Sequence, residues 1–151
     1  MHYKTVKDVI DYSRKLHHQM SEFYHNLGLK QEQIRVGMLL EYLKRHELHL
    51  EHVLDQFERD KSQKVLDSWF SYAPEQNLTE ALADIEIHQN MSADEVVIMA
   101  LQLDDYFISL YEGMVESANS PTVKSVFQNL LEMEQQEKIR TARTALELRD
   151  M

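Results

Sequence analysis

The chain has 151 residues, of which 43% are hydrophobic and 28% are charged. This length suits one domain with a single hydrophobic core. Three glycines and two prolines are too few for the tight turns of a β-sandwich, a β-barrel or a doubly wound fold, so the composition predicts an all-α domain.

The charge and the missing residue types exclude several classes of function. The absence of cysteine excludes disulfides, iron–sulfur clusters, zinc–thiolate sites and thiol catalysis. A net charge of −10 argues against binding to nucleic acid or to anionic membranes. We find no apolar run near the roughly 18 residues of a membrane span and no signal-like N-terminus, so a cytoplasmic protein is expected.

Apolar side chains recur three and four residues apart in four long segments, which predicts four amphipathic helices. Ser92 with Glu95 forms a capping-box pattern, and Ser120-Pro121 is a helix start with proline in the first position. Gly28 is a typical residue for the end of the first helix. The predicted helices cover about 5–27, 31–59, 92–118 and 121–149.

The connections predict how the helices are arranged. The first and last connections are only a few residues long, and short connections join antiparallel neighbours. The segment 60–91 is much longer, and we expect it to be a crossover with one or two short helices. The prediction is a four-helix bundle of two antiparallel hairpins joined by a long crossover, in one domain spanning 1–151.

Each apolar stripe is interrupted near its middle by an ionisable residue. A carboxylate is almost never buried without a partner, so four such interruptions on four helices suggest a shared internal site. Two further residues follow at a spacing of three, which places them on nearly the same helix face. The six candidate metal ligands are His17, His46, His49, Asp104, Glu134 and Glu137.

The residue types in this set suit a transition metal. Imidazole nitrogen and carboxylate oxygen are ligands that iron, manganese and zinc accept. Tyr24 follows His17 by seven residues, and Tyr111 follows Asp104 by seven, so the two hairpins carry a weak internal repeat. Both tyrosines are expected beside the site. Buried tyrosines are chiefly core aromatics with a bonded hydroxyl, and we expect that role for both.

The chain resembles the ferritin-like superfamily, above all its rubrerythrin-like and bacterioferritin-like bundles. Those families carry Glu on the first and third helices and Glu-x-x-His on the second and fourth. The resemblance places these ligand positions in this chain at His17, His46-x-x-His49, Asp104 and Glu134-x-x-Glu137. The resemblance implies a di-metal site, most simply iron, that reacts with O2 or peroxide. Since there is no cysteine, electrons would come from a partner protein.

The departures from the family pattern leave alternatives open. The set is compatible with two metals, with a histidine-rich site bridged by carboxylates from one hairpin, or with one metal. It is also compatible with a sensor that binds metal without catalysis. The remaining alternative is a metal-free, homo-oligomeric (dimeric) interaction module in which histidine–carboxylate pairs bridge the hairpins. In that case exposed Leu48, Leu54 and Leu101 would form an interface. Under every alternative we expect a homo-oligomer, most simply a dimer, and we expect Glu47 with Glu51 on a solvated face.

Overall fold

A computed structural model describes residues 3–72 and 87–150 of the chain. Long helices dominate it, in agreement with the predicted all-α class, and a pair of short strands was not anticipated. The elements in chain order are β1 (Tyr3–Thr5), α1 (Val6–Leu29), α2 (Ile34–Arg59), α3 (Gln63–Leu66), β2 (Trp69–Tyr72), α4 (Ala93–Ser117) and α5 (Pro121–Arg149).

The helix starts follow the local sequence signals. Ser92 accepts from the backbone N–H of Glu95 while the Glu95 side chain returns to the backbone N–H of Ser92, so the predicted capping box is confirmed. Ser120 caps α5 with Pro121 in the first position, also as predicted. Thr5 and Asp8 form a second capping box at α1.

The first hairpin turns later than the sequence suggested. Helix α1 continues through Gly28 to Leu29, and α2 begins at Ile34 rather than near residue 31. Gly28 is therefore inside the helix. A Cβ there would lie 3.6 Å from the Cβ of Leu40, which is an ordinary van der Waals distance, so the packing of the hairpin does not itself require glycine at this position.

The crossover begins at one end of the bundle and finishes at the opposite end. At its start β2 pairs antiparallel with β1, and the backbone N–H of Val6 donates to the carbonyl of Ser68. At its end the backbone N–H of Met91 donates to Oε1 of Gln31, beside the α1–α2 turn. Of the predicted short helices, α3 is observed; residues 73–86 are outside the described part. The crossover makes α2 and α4 run in the same direction.

Two apolar clusters fill the bundle. One includes Ile10, Tyr111 and Phe127 toward the α4–α5 turn, and the other includes Leu39 and Leu103 toward the α1–α2 turn. A layer of buried polar side chains lies between them. Each fully buried leucine contributes about 2 kcal/mol. No helix of the described residues has both the length and the apolar character that a membrane crossing would need.

Candidate metal centre

Four side chains, one from each long helix, form the buried polar layer of the bundle. Every member is at most 3% exposed. We call this group the central cluster; its members are His17 (α1), Glu47 (α2), Asp104 (α4) and Glu134 (α5).

The observed helix ends explain why these four side chains meet. His17 lies 12 residues before the end of α1, and Glu47 lies 13 residues after the start of α2. Asp104 lies 13 residues before the end of α4, and Glu134 lies 13 after the start of α5. At 1.5 Å per residue these positions are level within each hairpin to about 2 Å.

His17 joins the two hairpins through its ring. Its Nδ1 donates to Oε2 of Glu47, and its Nε2 donates to Oε1 of Glu134 at 3.0 Å. The ring lies flat against Phe107 of α4, with 3.9 Å between the ring centroids and 9° between the planes. The imidazole of α1 therefore contacts all three other long helices: its two nitrogens bond to carboxylates of α2 and α5, and one ring face stacks on α4.

The carboxylates decide the protonation state of this histidine. Burial alone would lower the pKa of His17, but the charges of Glu47 and Glu134, together with their hydrogen bonds, raise it to about 10. His17 is therefore an imidazolium at neutral pH. It provides a positive charge between two carboxylates in a place that water does not reach.

Asp104 is the fourth member of the cluster, and its Oδ2 has no hydrogen-bond partner among the described residues. Burial and the negative charges of Glu47 and Glu134 raise the pKa of Asp104 to about 8. Burial also raises the pKa of Glu47, and the positive charge of His17 opposes that rise. Among the described residues, Oδ2 of Asp104 and Oε2 of Glu134 are buried and have no hydrogen-bond partner.

Both predicted tyrosines are buried near the cluster. Burial and the charges of Glu47 and Asp104 raise the pKa of Tyr24 well above its ordinary value. Burial and the charge of Glu134 raise the pKa of Tyr111 in the same way. Their phenols are therefore neutral at any physiological pH.

Three predicted ligands lie apart from the central cluster. Nε2 of His46 is 2.9 Å from Oγ1 of Thr141, and its Nδ1 is 3.8 Å from Oε2 of Glu137, so His46 faces α5 between the helices. Glu137 also accepts from Arg140 at 3.2 Å. His49 is exposed. The expectation that all six residues converge is thus wrong for these three.

Glu47 is the residue that the sequence reasoning missed. It was expected on a solvated face, yet it is 2% exposed. The signal that could have identified it is Glu47-x-x-Leu50, in which Leu50 is fully buried and continues the apolar stripe. With this register, Leu50 occupies the place where the ferritin-like pattern has its second-helix histidine.

The cluster offers fewer donors than a two-metal site of the ferritin-like pattern. Leu50 provides none, and Glu137 is directed toward His46 and Arg140. Three carboxylates and one imidazole remain, and this donor set suits one transition-metal ion. Among residues 3–72 and 87–150, no group of three or more His, Asp or Glu side chains is already arranged as a metal site. His17 instead lies between Glu47 and Glu134 and bonds to both.

Comparison with known proteins identifies the fold. No family profile matches the chain, and no curated protein matches it. Among solved structures it is similar to a protein of Thermotoga maritima described as ferritin-like and diiron-carboxylate, with a TM-score of 0.62 and 15% identity. The match covers 99% of this chain and 96% of that one. The chain therefore has a ferritin-like fold.

Proposed function

We propose that this protein is a ferritin-like carboxylate protein that binds one transition-metal ion at the centre of its bundle. The proposed ligands are His17, Glu47, Asp104 and Glu134. The observation that carries the proposal is the pair of buried carboxylate oxygens, Oδ2 of Asp104 and Oε2 of Glu134, that lack partners among the described residues. A buried carboxylate oxygen without a partner costs several kcal/mol, and a cation would offset that cost.

Each of the four residues would have a separate role in binding the metal. The carboxylates would supply the negative charge that holds a divalent cation. His17 would lose the proton of one ring nitrogen to solvent, and that nitrogen would turn from its carboxylate to the metal. Phe107 would keep the imidazole plane fixed during that exchange, since the two rings are stacked. Iron is the metal that the resemblance favours, and manganese or zinc would accept the same ligands.

Redox chemistry is the further part of the proposal. A bound iron would supply reactivity toward O2 or peroxide. Tyr24 and Tyr111, both buried next to carboxylates of the cluster, would line that site as neutral phenols. Because the chain has no cysteine, the electrons would come from a partner protein.

A second candidate function rests on a different observation. His17 already pairs with one oxygen of Glu47 and one oxygen of Glu134 through its two ring nitrogens, so its positive charge can stand where a metal would stand. In this alternative the central cluster is a metal-free ionic link between the hairpins, and the protein is an interaction module.

Metal loading distinguishes the two candidates. The protein is loaded anaerobically with Fe(II), Mn(II) or Zn(II), desalted and analysed for bound metal. We expect about one ion per chain, and a loss of binding in Glu134→Gln and in His17→Phe. His49→Ala is the matched control, since His49 is exposed and outside the cluster. A metal content near zero with all three ions would favour the metal-free link.

A further inference from the structure

The outward face of α2 carries a stripe of apolar and charged side chains that the bundle does not cover. Among the described residues, Ile34 is 82% exposed, Met38 48% and Leu48 40%. Along the helix these residues belong to a series with alternating spacings of four and three, the heptad spacing by which helices pack on one another. We call this series the α2 stripe; its members are Ile34, Met38, Glu41, Arg45, Leu48 and His52.

The α2 stripe can pair with the α2 stripe of a second copy when the two helices run antiparallel. If a second α2 is laid antiparallel with its midpoint at Leu43, Met38 lies level with the partner's Leu48 and Glu41 with the partner's Arg45. Each of these contacts occurs twice. Met38 then meets an apolar side chain, the carboxylate of Glu41 meets a guanidinium, and Ile34 at each end of the contact lies level with the partner's His52.

Other arrangements of two α2 helices lose this complementarity. A parallel pair in register would place Glu41 against Glu41 and Arg45 against Arg45, which repel each other. A shift by one heptad would set Met38 against a charged residue. A polar layer inside an apolar contact fixes register and orientation in this way in coiled coils.

The neighbouring surface leaves room for a partner. Open grooves of about 590 Å³ and 600 Å³ run along the two sides of α2, one lined by Met38 and Leu148 and the other by Leu48 and His18. Arg45 bonds Glu41 of its own helix at 3.1 Å, but its side chain is 75% exposed. It can therefore turn to the partner's Glu41 without breaking any buried contact.

We propose that the α2 stripe is the interface of a homodimer with twofold symmetry, in which α2 of each copy packs antiparallel on α2 of the other. This surface was not the one expected from the sequence, because Leu54 is fully buried and Leu101 is half-buried against the core. The proposal is independent of any metal, since every residue in it is on the outside of α2.

Sedimentation of the full chain tests the dimer. We expect twice the monomer mass of 17.9 kDa for the wild type. Met38→Asp should sediment as a monomer, and Arg45→Glu should raise the dissociation constant at least about tenfold, since two like-charged contacts replace two ion pairs. The double variant Glu41→Arg with Arg45→Glu should restore the dimer, because the exchange preserves the pairing.

A control and a cross-link make the test specific. Arg59 forms the same kind of exposed pair with Asp55, beyond the overlap of the two helices, so Arg59→Glu should leave the dimer unchanged. Because the chain has no cysteine, Met38→Cys mixed with Leu48→Cys should form a mixed disulfide faster than either variant alone. A wild-type monomer, a dimer unaffected by Met38→Asp, or a double variant that stays dissociated would overturn the proposal.

Discussion

The ring of His17 donates to Glu47 across the first hairpin and to Glu134 across the bundle, although Glu134 is 117 residues away in the chain. One side chain thus links the two halves of the fold at their most buried level. The layer around it separates two apolar clusters. The central cluster therefore affects both stability and any metal chemistry of this protein.

Removing the imidazolium should destabilise the metal-free protein strongly. His17→Phe keeps a flat ring against Phe107 but leaves Glu47 and Glu134 as buried carboxylates without a counter-charge, at a cost of about 3–5 kcal/mol. Urea unfolding in the presence of a chelator measures this loss. His49→Phe, at an exposed position, should change the free energy of unfolding by less than about 0.5 kcal/mol. Equal effects of the two changes would mean that the ionic link contributes no stability.

Stability of the metal-free protein should fall as the pH rises above neutral. The pKa of His17 is about 10 in the folded chain against 6.5 unfolded, so the folded state holds the extra proton between these values. Its stabilising effect is complete below pH 6.5 and is lost as the pH approaches 10. Each such proton changes the free energy of unfolding by about 1.4 kcal/mol per pH unit.

Asp104 makes a second contribution to the pH dependence of the free energy of unfolding. Its pKa is about 8 folded against 3.8 unfolded, so it lowers stability as the pH rises from about 4 to 8. Asp104→Asn should remove the Asp104 contribution to this slope, while the loss that His17 causes between pH 6.5 and 10 persists. Denaturant unfolding at a series of pH values, with chelator, measures both. A wild-type profile that is flat from pH 7 to 10 would contradict the charged state assigned to His17.

Replacing the whole ionic link by apolar residues should be tolerated without metal. When His17→Leu, Glu47→Met and Glu134→Met are combined, Asp104 is the one member of the cluster that remains, and burial keeps its pKa raised so that it is uncharged at neutral pH. Exchanges of buried ionic groups for apolar ones elsewhere are neutral or stabilising by about 1–4 kcal/mol. We expect a thermal midpoint at or above that of the wild type, with metal binding abolished. Glu134→Met alone should have a lower midpoint than the triple variant. The reverse order would indicate that packing, rather than charge, dominates at this level.

Supplying the missing donors should increase the metal content. In the ferritin-like pattern a histidine follows each of the second and fourth helix glutamates by three residues, where this chain has Leu50 and Glu137. Leu50→His with Glu137→His should raise the iron bound per chain from about one toward two. The matched control is Leu48→His with His49 left in place, because Leu48 points outward. No increase over the wild type would show that these positions do not limit the number of metals.

The amphipathic pattern was sufficient to predict most of the fold. The capping residues Ser92 and Ser120 mark helix starts because they satisfy N–H groups of the first turn locally, whatever the helix packs against. His17, Asp104 and Glu134 were expected inside because they interrupt apolar stripes, and all three are buried. The cytoplasmic location and the electron-donor partner stay predictions.

The end of the first hairpin could not be predicted from local signals. Gly28 is typical of a helix end, but here its φ is not positive and the helix continues past it to Leu29. Ending the first helix two residues too early and starting the second three residues too early placed His17 and His46 five residues apart in height. With the observed ends, the positions opposite His17 are His46 and Glu47.

The sequence by itself determined four amphipathic helices, their caps and a buried polar layer, because periodicity and capping depend on neighbours within a few residues. Which of two adjacent inward positions on α2 would join that layer was decided by tertiary structure alone. Successive helical residues point about 100° apart. Glu47 therefore faces α1 and contacts His17, while His46 faces α5 and contacts Thr141. That choice depends on how α2 is rotated between its two neighbours, which no local pattern encodes.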